Sequence, residues 1–227
     1  MVTIAFDIYG TLINPHGIVT ELEQLIGNEA HAFSITWREK QLEYSFRRGL
    51  MQRYVDFTTC TRQALDFTIL QHGVEVTAKD RESLMAKYDK LPAFPEAKAA
   101  LEQLSKQDYR LFAFSNGNQS TVECLLQQAD IRDTIQGVVS VNDIQSYKPN
   151  PQAYAYFIRI AEANPENTWL VSSNPFDVIG ACSVGLKGLW IRRSEAMVFD
   201  PWEIEPTAIV ESLAEVPEAI EKASGPG

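Results

Sequence analysis

One carboxylate, Asp7, follows an apolar run at the start of the chain, and Gly10 comes shortly after it. An apolar run of this length, bounded by Gly10 and Pro15, predicts a buried parallel strand with Asp7 at its carboxyl end. Open α/β sheets bind ligands in the crevice outside the carboxyl ends of their strands. Asp7 is therefore the candidate nucleophile, since carboxylates can form covalent intermediates.

Later apolar runs also end in short polar clusters. These clusters are residues 115–117 (Ser-Asn-Gly), 147–149 (Tyr-Lys-Pro) and 172–177 (Ser-Ser-Asn-Pro-Phe-Asp). The carboxyl ends of parallel strands converge on one crevice, so groups that are far apart in the sequence can meet there. We expect the three clusters to surround Asp7.

The elements that must position these residues alternate along the chain. Strand-like runs are predicted at residues 2–6, 109–114, 137–141, 168–172 and 188–191. Helical periodicity is predicted at residues 96–107, 119–129 and 151–163. Strands that alternate with helices of this length indicate βαβ units, and hence an α/β fold with a doubly wound, Rossmann-like parallel sheet.

Residues 14–91 break this alternation, because their apolar pattern is helical throughout. Helices are predicted at residues 18–26, 31–48, 54–72 and 79–90. We expect this segment to be an all-helical cap inserted after the first strand. Residues 1–13 and 92–227 would then form the catalytic core. The tail from residue 201 predicts a covering strand or loop, a helix at 216–223 and a frayed end.

Composition narrows the class of protein. The 227 residues are 45% hydrophobic and carry a formal net charge of −10, which disfavours nucleic acid and anionic membrane surfaces and favours a small-molecule partner. Cys60, Cys124 and Cys182 form no CxxC pair, so neither a disulfide framework nor a zinc site is indicated. With no apolar run of membrane-spanning length and no leader signal, the sequence predicts a soluble cytoplasmic protein.

The polar clusters in this order resemble the motifs of the haloacid dehalogenase superfamily, and most closely those of the L-2-haloacid dehalogenases (type II). The matching segments are residues 7–12 (Asp-Ile-Tyr-Gly-Thr-Leu), 115–117, 148–149 and 172–177. Residues 37–44 (Trp-Arg-Glu-Lys-Gln-Leu-Glu-Tyr) are similar to the cap-helix arginine motif of that family. The resemblance covers essentially the whole chain.

The chain departs from the phosphatases of this superfamily at the positions that bind metal. Those enzymes resemble one another in a D-x-D first motif and an acidic fourth motif, because Mg²⁺ prefers carboxylate oxygens. Here Tyr9 stands in place of the second aspartate, and residues 172–174 (Ser-Ser-Asn) replace the early acid of the fourth motif. We therefore expect no metal and no cofactor, which leaves Asp7 free to attack a saturated carbon.

The resemblance implies a mechanism. Asp7 attacks C2 of a short 2-haloalkanoate, and hydrolysis of the aspartyl ester converts an (S)-2-haloacid into an (R)-2-hydroxy acid and halide. Lys148 keeps Asp7 ionised, because an opposite charge lowers the pKa of a carboxylate. Asp177 pairs with Lys148 and positions or deprotonates the hydrolytic water. Arg38 accepts the departing halide.

The resemblance assigns further residues to the site. Asn116 is a second halide donor, and Ser115 binds the substrate carboxylate together with nearby backbone N–H groups. The other polar members are Thr11, Tyr154, Ser172 and Asn174. An apolar wall that strips water from the substrate consists of Tyr9, Leu42, Phe57 and Phe176. Family members often carry tryptophan in place of Phe176, and many form homodimers, which we also expect here.

Other interpretations stay open at this point. Asp7 could be a turn or helix-cap residue, and Arg38 could belong to a solvated helix face. A Mg²⁺-dependent phosphomonoesterase of the same superfamily is disfavoured by Tyr9 and the missing acids. A non-catalytic relative that binds a carboxylate ligand is a third alternative.

Overall fold

A parallel sheet of six strands forms the centre of the molecule, in the order β3-β2-β1-β4-β5-β6. The computed structural model describes residues 1–224. Its strands are β1 (Val2–Phe6), β2 (Tyr109–Ser115), β3 (Gly137–Ser140), β4 (Thr168–Ser172), β5 (Lys187–Ile191) and β6 (Ala208–Val210). The prediction of a doubly wound α/β sheet is confirmed, and the predicted covering segment of the tail supplies the sixth strand.

Helices follow the strands and cover both faces of the sheet. The helices of the core are α5 (Ala97–Leu104), α6 (Gln119–Gln128), α7 (Pro151–Ile160), α8 (Pro175–Ser183) and α9 (Val216–Ser224). Helix α8 was not predicted from the sequence, which indicated only the polar segment at its start. Residues 225–227, and with them most of the predicted frayed end, lie outside the described residues.

The core forms because neighbouring side chains of each strand point to opposite faces. Ile4 and Phe6 pack into one apolar cluster, whereas Ala5 packs into the other. Trp169 and Leu170 of β4 divide between the two clusters in the same way. Both faces are buried, which explains why these strands are apolar along their length.

The strand order creates a crevice beside β1. After β3 at one edge, the chain crosses the sheet to form β4 on the other side of β1. Ligands bind outside the carboxyl ends of the strands at such a reversal of strand order. The backbone N–H of Asp7 donates to the carbonyl of Val171 at 3.0 Å, so the pairing of β1 with β4 continues to the start of the crevice.

Four helices fill the segment between β1 and α5. They are α1 (Val19–Ile26), α2 (Ala30–Leu50), α3 (Phe57–His72) and α4 (Ala78–Tyr88). The chain enters and leaves this segment side by side, because Asn14 donates its N–H to the carbonyl of Pro92 at 2.8 Å. The start of α3 differs from the sequence prediction, since Asp56 caps the helix by accepting from the N–H of Thr59.

None of the helices among residues 1–224 combines the length and the apolar character that crossing a bilayer requires.

Candidate active site

Asp7 lies where β1 ends, with 6% of its surface exposed. The chain then turns through Gly10, whose φ of +96° lies in the region that favours glycine. This turn brings the hydroxyl of Thr11 back to the carboxylate, where it donates to Oδ2 of Asp7 at 3.0 Å. Asp7 therefore keeps access to the crevice while its orientation is fixed.

Lys148 joins Asp7 to Asp177 in a buried ionic cluster. Its Nζ atom lies 2.7 Å from Oδ1 of Asp7, 2.6 Å from Oδ2 of Asp177 and 3.1 Å from the carbonyl oxygen of Phe114. Only 1% of the Lys148 surface is exposed. All three ammonium protons have an acceptor, so the cation cannot reorient without breaking a hydrogen bond.

The protonation of this cluster follows from burial and charge. Burial alone would lower the pKa of Lys148, but the carboxylates of Asp177 and Asp7 outweigh it and raise that pKa above its ordinary value. Burial raises the pKa of Asp177 to about 6, against the opposing effect of Lys148. Lys148 is thus a permanent cation near neutral pH, whereas Asp177 titrates close to that range.

Tyr154 holds the far side of Asp177. Its hydroxyl lies 2.9 Å from Oδ1 of Asp177 and 3.1 Å from the carbonyl oxygen of the same residue. Burial raises the pKa of Tyr154 far above its ordinary value, so the hydroxyl stays a donor. A Cβ atom at Gly180 would lie 2.3 Å from that hydroxyl, so this glycine makes the approach possible. The sequence offers no signal for Gly180 beyond a glycine in an apolar run.

The second oxygen of Asp7 has more donors than the first. Asn174 donates to Oδ2 at 2.7 Å, and Ser172 lies 3.4 Å from the same atom. Together with Thr11 these side chains surround Oδ2, whereas Lys148 is the donor to Oδ1. Oδ1 therefore accepts a single side-chain hydrogen bond and is the less engaged of the two carboxylate oxygens.

Arg38 reaches the crevice from α2. Its Nη2 atom lies 3.0 Å from the carbonyl oxygen of Tyr9 and 3.5 Å from Oδ1 of Asn174, and its Nη1 atom lies 2.7 Å from Oε1 of Gln41. All of these acceptors are neutral, and within residues 1–224 the guanidinium has no ion pair with a carboxylate. An uncompensated positive charge thus lies beside the loop that carries Asp7, where it can bind an anion.

Gln41 is a site residue that the sequence analysis missed, since it appeared there only as a letter of the arginine motif. It lies one turn after Arg38 and is fully buried. Its Oε1 accepts from Arg38 and from the hydroxyl of Tyr88 at 3.0 Å, and its Nε2 donates to Thr61 at 2.5 Å. Its position on the same helix face as Arg38 was the signal available.

Aromatic rings line the cap side of the crevice. The ring of Tyr9 lies 5.6 Å from that of Phe57 and 6.0 Å from that of Tyr88, and all three are buried. Burial raises the pKa of Tyr9 well above its ordinary value, so Tyr9 stays neutral. These rings exclude water from the space next to Arg38, which strengthens electrostatic interactions there.

Two other predicted wall residues are less buried than these rings. Leu42 and Phe176 are half-buried, and Phe176 packs edge-on against Phe46 of α2 at 4.9 Å between centroids. This contact joins the start of α8 to the C-terminal half of α2. The expected contacts of Leu42 and Phe176 with the substrate stay predictions.

Asn116 supports the loop of Lys148, whereas Ser115 supports the turn at Gly117. The hydroxyl of Ser115 accepts from the N–H of Gly117 at 3.0 Å, and Oδ1 of Asn116 accepts from the N–H of Lys148 at 2.9 Å. Among the hydrogen bonds of the described residues, neither side chain reaches Asp7. Their expected contacts with substrate and halide stay predictions.

The oxygen atoms around Asp7 are poorly suited to bind a divalent cation. Asp177 is engaged by Lys148 and Tyr154, and the carbonyl oxygen of Tyr9 accepts from Arg38 and Asn174. The part of the chain that the structure describes holds no group of three or more His, Cys, Asp or Glu side chains that could bind a metal ion. A cation would have to displace Lys148 to reach two carboxylates.

Comparison with known proteins agrees with this geometry. A family model described as haloacid dehalogenase-like hydrolase matches residues 1–185. An (S)-2-haloacid dehalogenase of Pseudomonas sp. (strain YL) is 34% identical over 98% of this chain and 95% of its own length. Haloacetate dehalogenase H-2 of Moraxella sp. (strain B) is 35% identical over 84% of this chain and 85% of its own length.

A solved structure extends the likeness to three dimensions. L-2-haloacid dehalogenase from Xanthobacter autotrophicus with chloropropionic acid covalently bound superimposes with a TM-score of 0.91 at 27% identity, covering 97% of this chain and 98% of that one. The relatives and the fold agree over nearly the whole length, and the family model agrees over residues 1–185. The chain therefore belongs to the haloacid dehalogenase superfamily and is of the L-2-haloacid dehalogenase type.

Proposed function

We propose that this protein hydrolyses short 2-haloalkanoic acids, converting an (S)-2-haloacid into the (R)-2-hydroxy acid and halide. The observation that carries the proposal is a buried, lysine-held carboxylate, Asp7, beside an uncompensated guanidinium, Arg38. A carboxylate nucleophile and an anion acceptor are what displacement of halide from carbon requires. The names of the relatives and the covalently bound chloropropionic acid in the Xanthobacter enzyme support the same reaction.

In the first step, Oδ1 of Asp7 attacks C2 of the substrate from the side opposite the halogen. The new C–O bond forms as the carbon–halogen bond breaks, and the halide leaves with the bonding electron pair. Arg38 stabilises the negative charge that develops on the halogen. Gln41 fixes the guanidinium in place for this task. Configuration at C2 inverts.

In the second step, water adds to the carboxyl carbon of the Asp7 ester. The ester C–O bond then breaks at that carbon, which releases the 2-hydroxy acid and restores the carboxylate. Asp177 keeps Lys148 charged and in place, and a pKa of about 6 suits it to accept the proton of the water. Thr11, Ser172 and Asn174 stabilise the negative charge on the carbonyl oxygen.

Substrate binding uses the residues around this centre. Ser115 and the backbone N–H groups beside it bind the substrate carboxylate, and Asn116 is a second donor to the halide. Tyr9 and Phe57 exclude water from the halide, whereas Leu42 and Phe176 border the alkyl group.

The reaction needs no metal ion. Lys148 occupies the space between the two carboxylates and supplies the positive charge that a cation would otherwise provide. A Mg²⁺-dependent phosphomonoesterase would need oxygen ligands for the metal ion. The oxygen atoms available here already accept hydrogen bonds from Arg38, Asn174 and Lys148. Halide release in the presence of EDTA, and no hydrolysis of a panel of phosphate esters with Mg²⁺, would separate the two functions.

The decisive experiment is a single turnover in ¹⁸O-labelled water with enzyme in excess over 2-chloropropanoate. We expect the lactate to carry unlabelled oxygen from Asp7, and the Asp7 peptide to gain the label. Label in the lactate alone would indicate direct attack of water on carbon and would contradict the ester route. Reversible binding of the haloacid without halide release would favour a non-catalytic relative.

The same mechanism requires that Asp7→Asn abolish turnover. Loss of a nucleophile lowers kcat by about 10⁴-fold or more. The matched control is Asp108→Asn, because Asp108 is exposed and comes directly before β2, at the end of that strand opposite the crevice. Undiminished halide release by Asp7→Asn would exclude the proposed nucleophile.

We further propose that residues 14–91 form a cap over a core of residues 1–13 and 92–227, and that the protein is cytoplasmic.

We also propose that the protein forms a homodimer through exposed apolar residues of the cap. Leu70 of α3 is 80% exposed and supports such an interface. Phe57 cannot contribute to it, because its ring is buried against Tyr9. A monomeric mass in light scattering would contradict the homodimer.

A further inference from the structure

Arg193 lies two residues after the end of β5, outside the ionic cluster of the active site. Its side chain is 15% exposed. Nη1 of Arg193 donates to Oε1 of Glu96, and Nη2 donates to the carbonyl oxygen of Thr11. The guanidinium carbon lies 3.7 Å from the centroid of the Phe94 ring. One side chain therefore joins the loop after β1 to the segment before α5.

These contacts lie where the chain enters and leaves the inserted helices. The N–H of Phe94 donates to the carbonyl oxygen of Leu12 at 2.9 Å, close to the bond between residues 14 and 92. Arg193 contacts the entering segment at Thr11 and the leaving segment at Phe94. The end of β5 thus holds both segments in a fixed position against the sheet.

The backbone of Thr11 depends on this contact. Thr11 is fully buried, and among the hydrogen bonds of residues 1–224 its carbonyl oxygen accepts from Arg193 alone. A buried carbonyl that loses its donor is costly unless the chain moves to find another partner. Removal of the guanidinium should therefore displace the loop that carries Thr11.

The side chain of Thr11 connects this loop to the nucleophile. Its hydroxyl donates to Oδ2 of Asp7 at 3.0 Å and accepts from the N–H of Ser173 at 3.0 Å. A hydroxyl has one proton to donate, and the bond from Ser173 leaves that proton for Asp7. The contacts that begin at Arg193 therefore end at one oxygen of the reacting carboxylate.

Arg193 differs from Arg38 because its charge is balanced. Glu96 forms an ion pair with it, and the ring of Phe94 covers one face of the guanidinium. An arginine that is paired and stacked in this way orders the protein around it and has little capacity left for an anion. Any effect of Arg193 on the reaction must therefore pass through Thr11.

We propose that Arg193 is a positioning residue for the second step, which holds the hydroxyl of Thr11 against Oδ2 of Asp7. The inference rests on the proposed function and adds a residue to it. Oδ2 is the carbonyl oxygen of the aspartyl ester, and Thr11 stabilises the charge on it when water adds. The first step does not need this donor, because the negative charge then develops on the halogen.

The test is the reaction of Arg193→Met with 2-bromopropanoate. Methionine keeps an apolar chain beside Phe94 and removes both donors. A displacement of about 1 Å in a positioned group can cost about 10²-fold in rate, so we expect kcat to fall by about 10- to 100-fold. The first-turnover burst of bromide should keep its wild-type rate and amplitude, and intact-mass spectrometry should show the aspartyl ester accumulating during turnover. A burst amplitude that falls together with kcat, without ester, would overturn the proposal.

Arg192→Met is the matched control, because Arg192 is the neighbouring residue and pairs with the exposed Glu211 instead. Its burst, kcat and ester fraction should equal those of the wild type. If the wild type and this control both release no bromide, the proposed function fails. If both release bromide and Arg193→Met accumulates no ester, the inference about Arg193 fails while the proposed function stands.

Two further variants separate positioning from folding. Arg193→Lys keeps a charge beside Glu96 but lacks the planar fork that reaches Glu96 and Thr11 together, so it should also accumulate ester. A wild-type ester fraction in this variant would overturn the proposal. Thr11→Val removes the hydroxyl, and the addition of Arg193→Met to it should slow ester hydrolysis no further, because both changes act through one hydrogen bond. Additive losses would show that Arg193 has only a general structural role.

Discussion

The two cations of the active site are held in opposite ways. Lys148, in the core, is fully buried and contacts two carboxylates. Arg38, on the cap, is half-buried and contacts the neutral oxygens of Tyr9, Gln41 and Asn174. The charge of Lys148 is balanced by two carboxylates of the protein. The charge of Arg38 has no carboxylate partner within residues 1–224, so it can attract an anionic ligand.

This contrast follows from the tasks of the two groups. A buried ion pair is favourable only when its geometry and hydrogen bonds are nearly complete, and Lys148 meets this condition with three acceptors. Such a cluster fixes the nucleophile but cannot bind a further anion. Neutral acceptors orient a guanidinium without cancelling its charge, so Arg38 can receive a halide.

Lys148→Met should have the largest effect, because it leaves Asp7 and Asp177 buried without a cation. Breaking one partner of such a cluster costs about 3–5 kcal/mol. We expect the free energy of unfolding in urea to fall by this amount, and halide release to be lost with it. Lys106→Met, at an exposed position, should change stability by less than about 0.5 kcal/mol. Equal stability of the two variants would contradict the contrast.

Arg38→Gln should separate activity from stability. Removal of a transition-state donor lowers kcat by about 10²–10³-fold, so we expect this loss with 2-chloropropanoate and a smaller one with 2-bromopropanoate, since bromide leaves more readily. The free energy of unfolding should change by about 1 kcal/mol or less, because neutral hydrogen bonds are at stake. Equal losses for the two halides would show that Arg38 does not act on the leaving group.

Gln41→Glu should make Arg38 resemble Lys148 by giving it a carboxylate partner. A hydrogen bond to a charged group contributes about 1.5–3 kcal/mol, which corresponds to about 10- to 100-fold in binding. We expect bromide to inhibit the variant more weakly than the wild type, by a factor within this range. We expect kcat for 2-chloropropanoate to fall by a similar factor. Gln41→Met, which removes the hydrogen bonds without adding charge, is the comparison. Unchanged bromide inhibition in Gln41→Glu would contradict an anion site at Arg38.

The pH dependence should reflect Asp177, the buried carboxylate partner of Lys148. The pKa of Asp177 is about 6, so the carboxylate is ionised above this pH and takes up a proton as the pH falls through it. At pH 5 about one tenth remains ionised. We therefore expect kcat/KM to be about tenfold lower at pH 5 than at pH 8, with the fold intact by circular dichroism. A flat profile over this range would exclude Asp177 from the reaction.

Much of the core could be predicted from the sequence. Observed β1 and β4 match the predicted strands residue for residue, because both are continuous apolar runs with a polar residue at the end. In a parallel sheet that pattern also fixes which side chains meet, so Asp7, Lys148 and Asp177 could be brought together without coordinates. Strand direction and chain order were sufficient to predict that these residues converge, whereas the pairing of Lys148 with Asp7 and Asp177 was implied by the family resemblance.

The cap side and the packing details could not be predicted in this way. Gln41 also accepts a hydrogen bond from Tyr88, which lies 47 residues away in the sequence, and no local sequence pattern predicts such a contact between two helices. Gly180 matters because of one close approach to Tyr154, which depends on how α7 and α8 pack. Trp202 lies in the irregular segment between β5 and β6, which carries no periodic signal. These features depend on tertiary contacts rather than on the type or spacing of residues.

The adjacent ends of the inserted helices have a consequence for evolution and engineering. Asn14 and Pro92 are hydrogen-bonded neighbours, so the whole segment between them can be exchanged as a cassette while the sheet keeps its strands. A chain that received a different segment would keep its own Asp7 and Lys148, whereas Arg38 belongs to the exchanged segment. If Arg38 stabilises the leaving halide as proposed, exchange of this segment would change the leaving-group preference without changing the nucleophile.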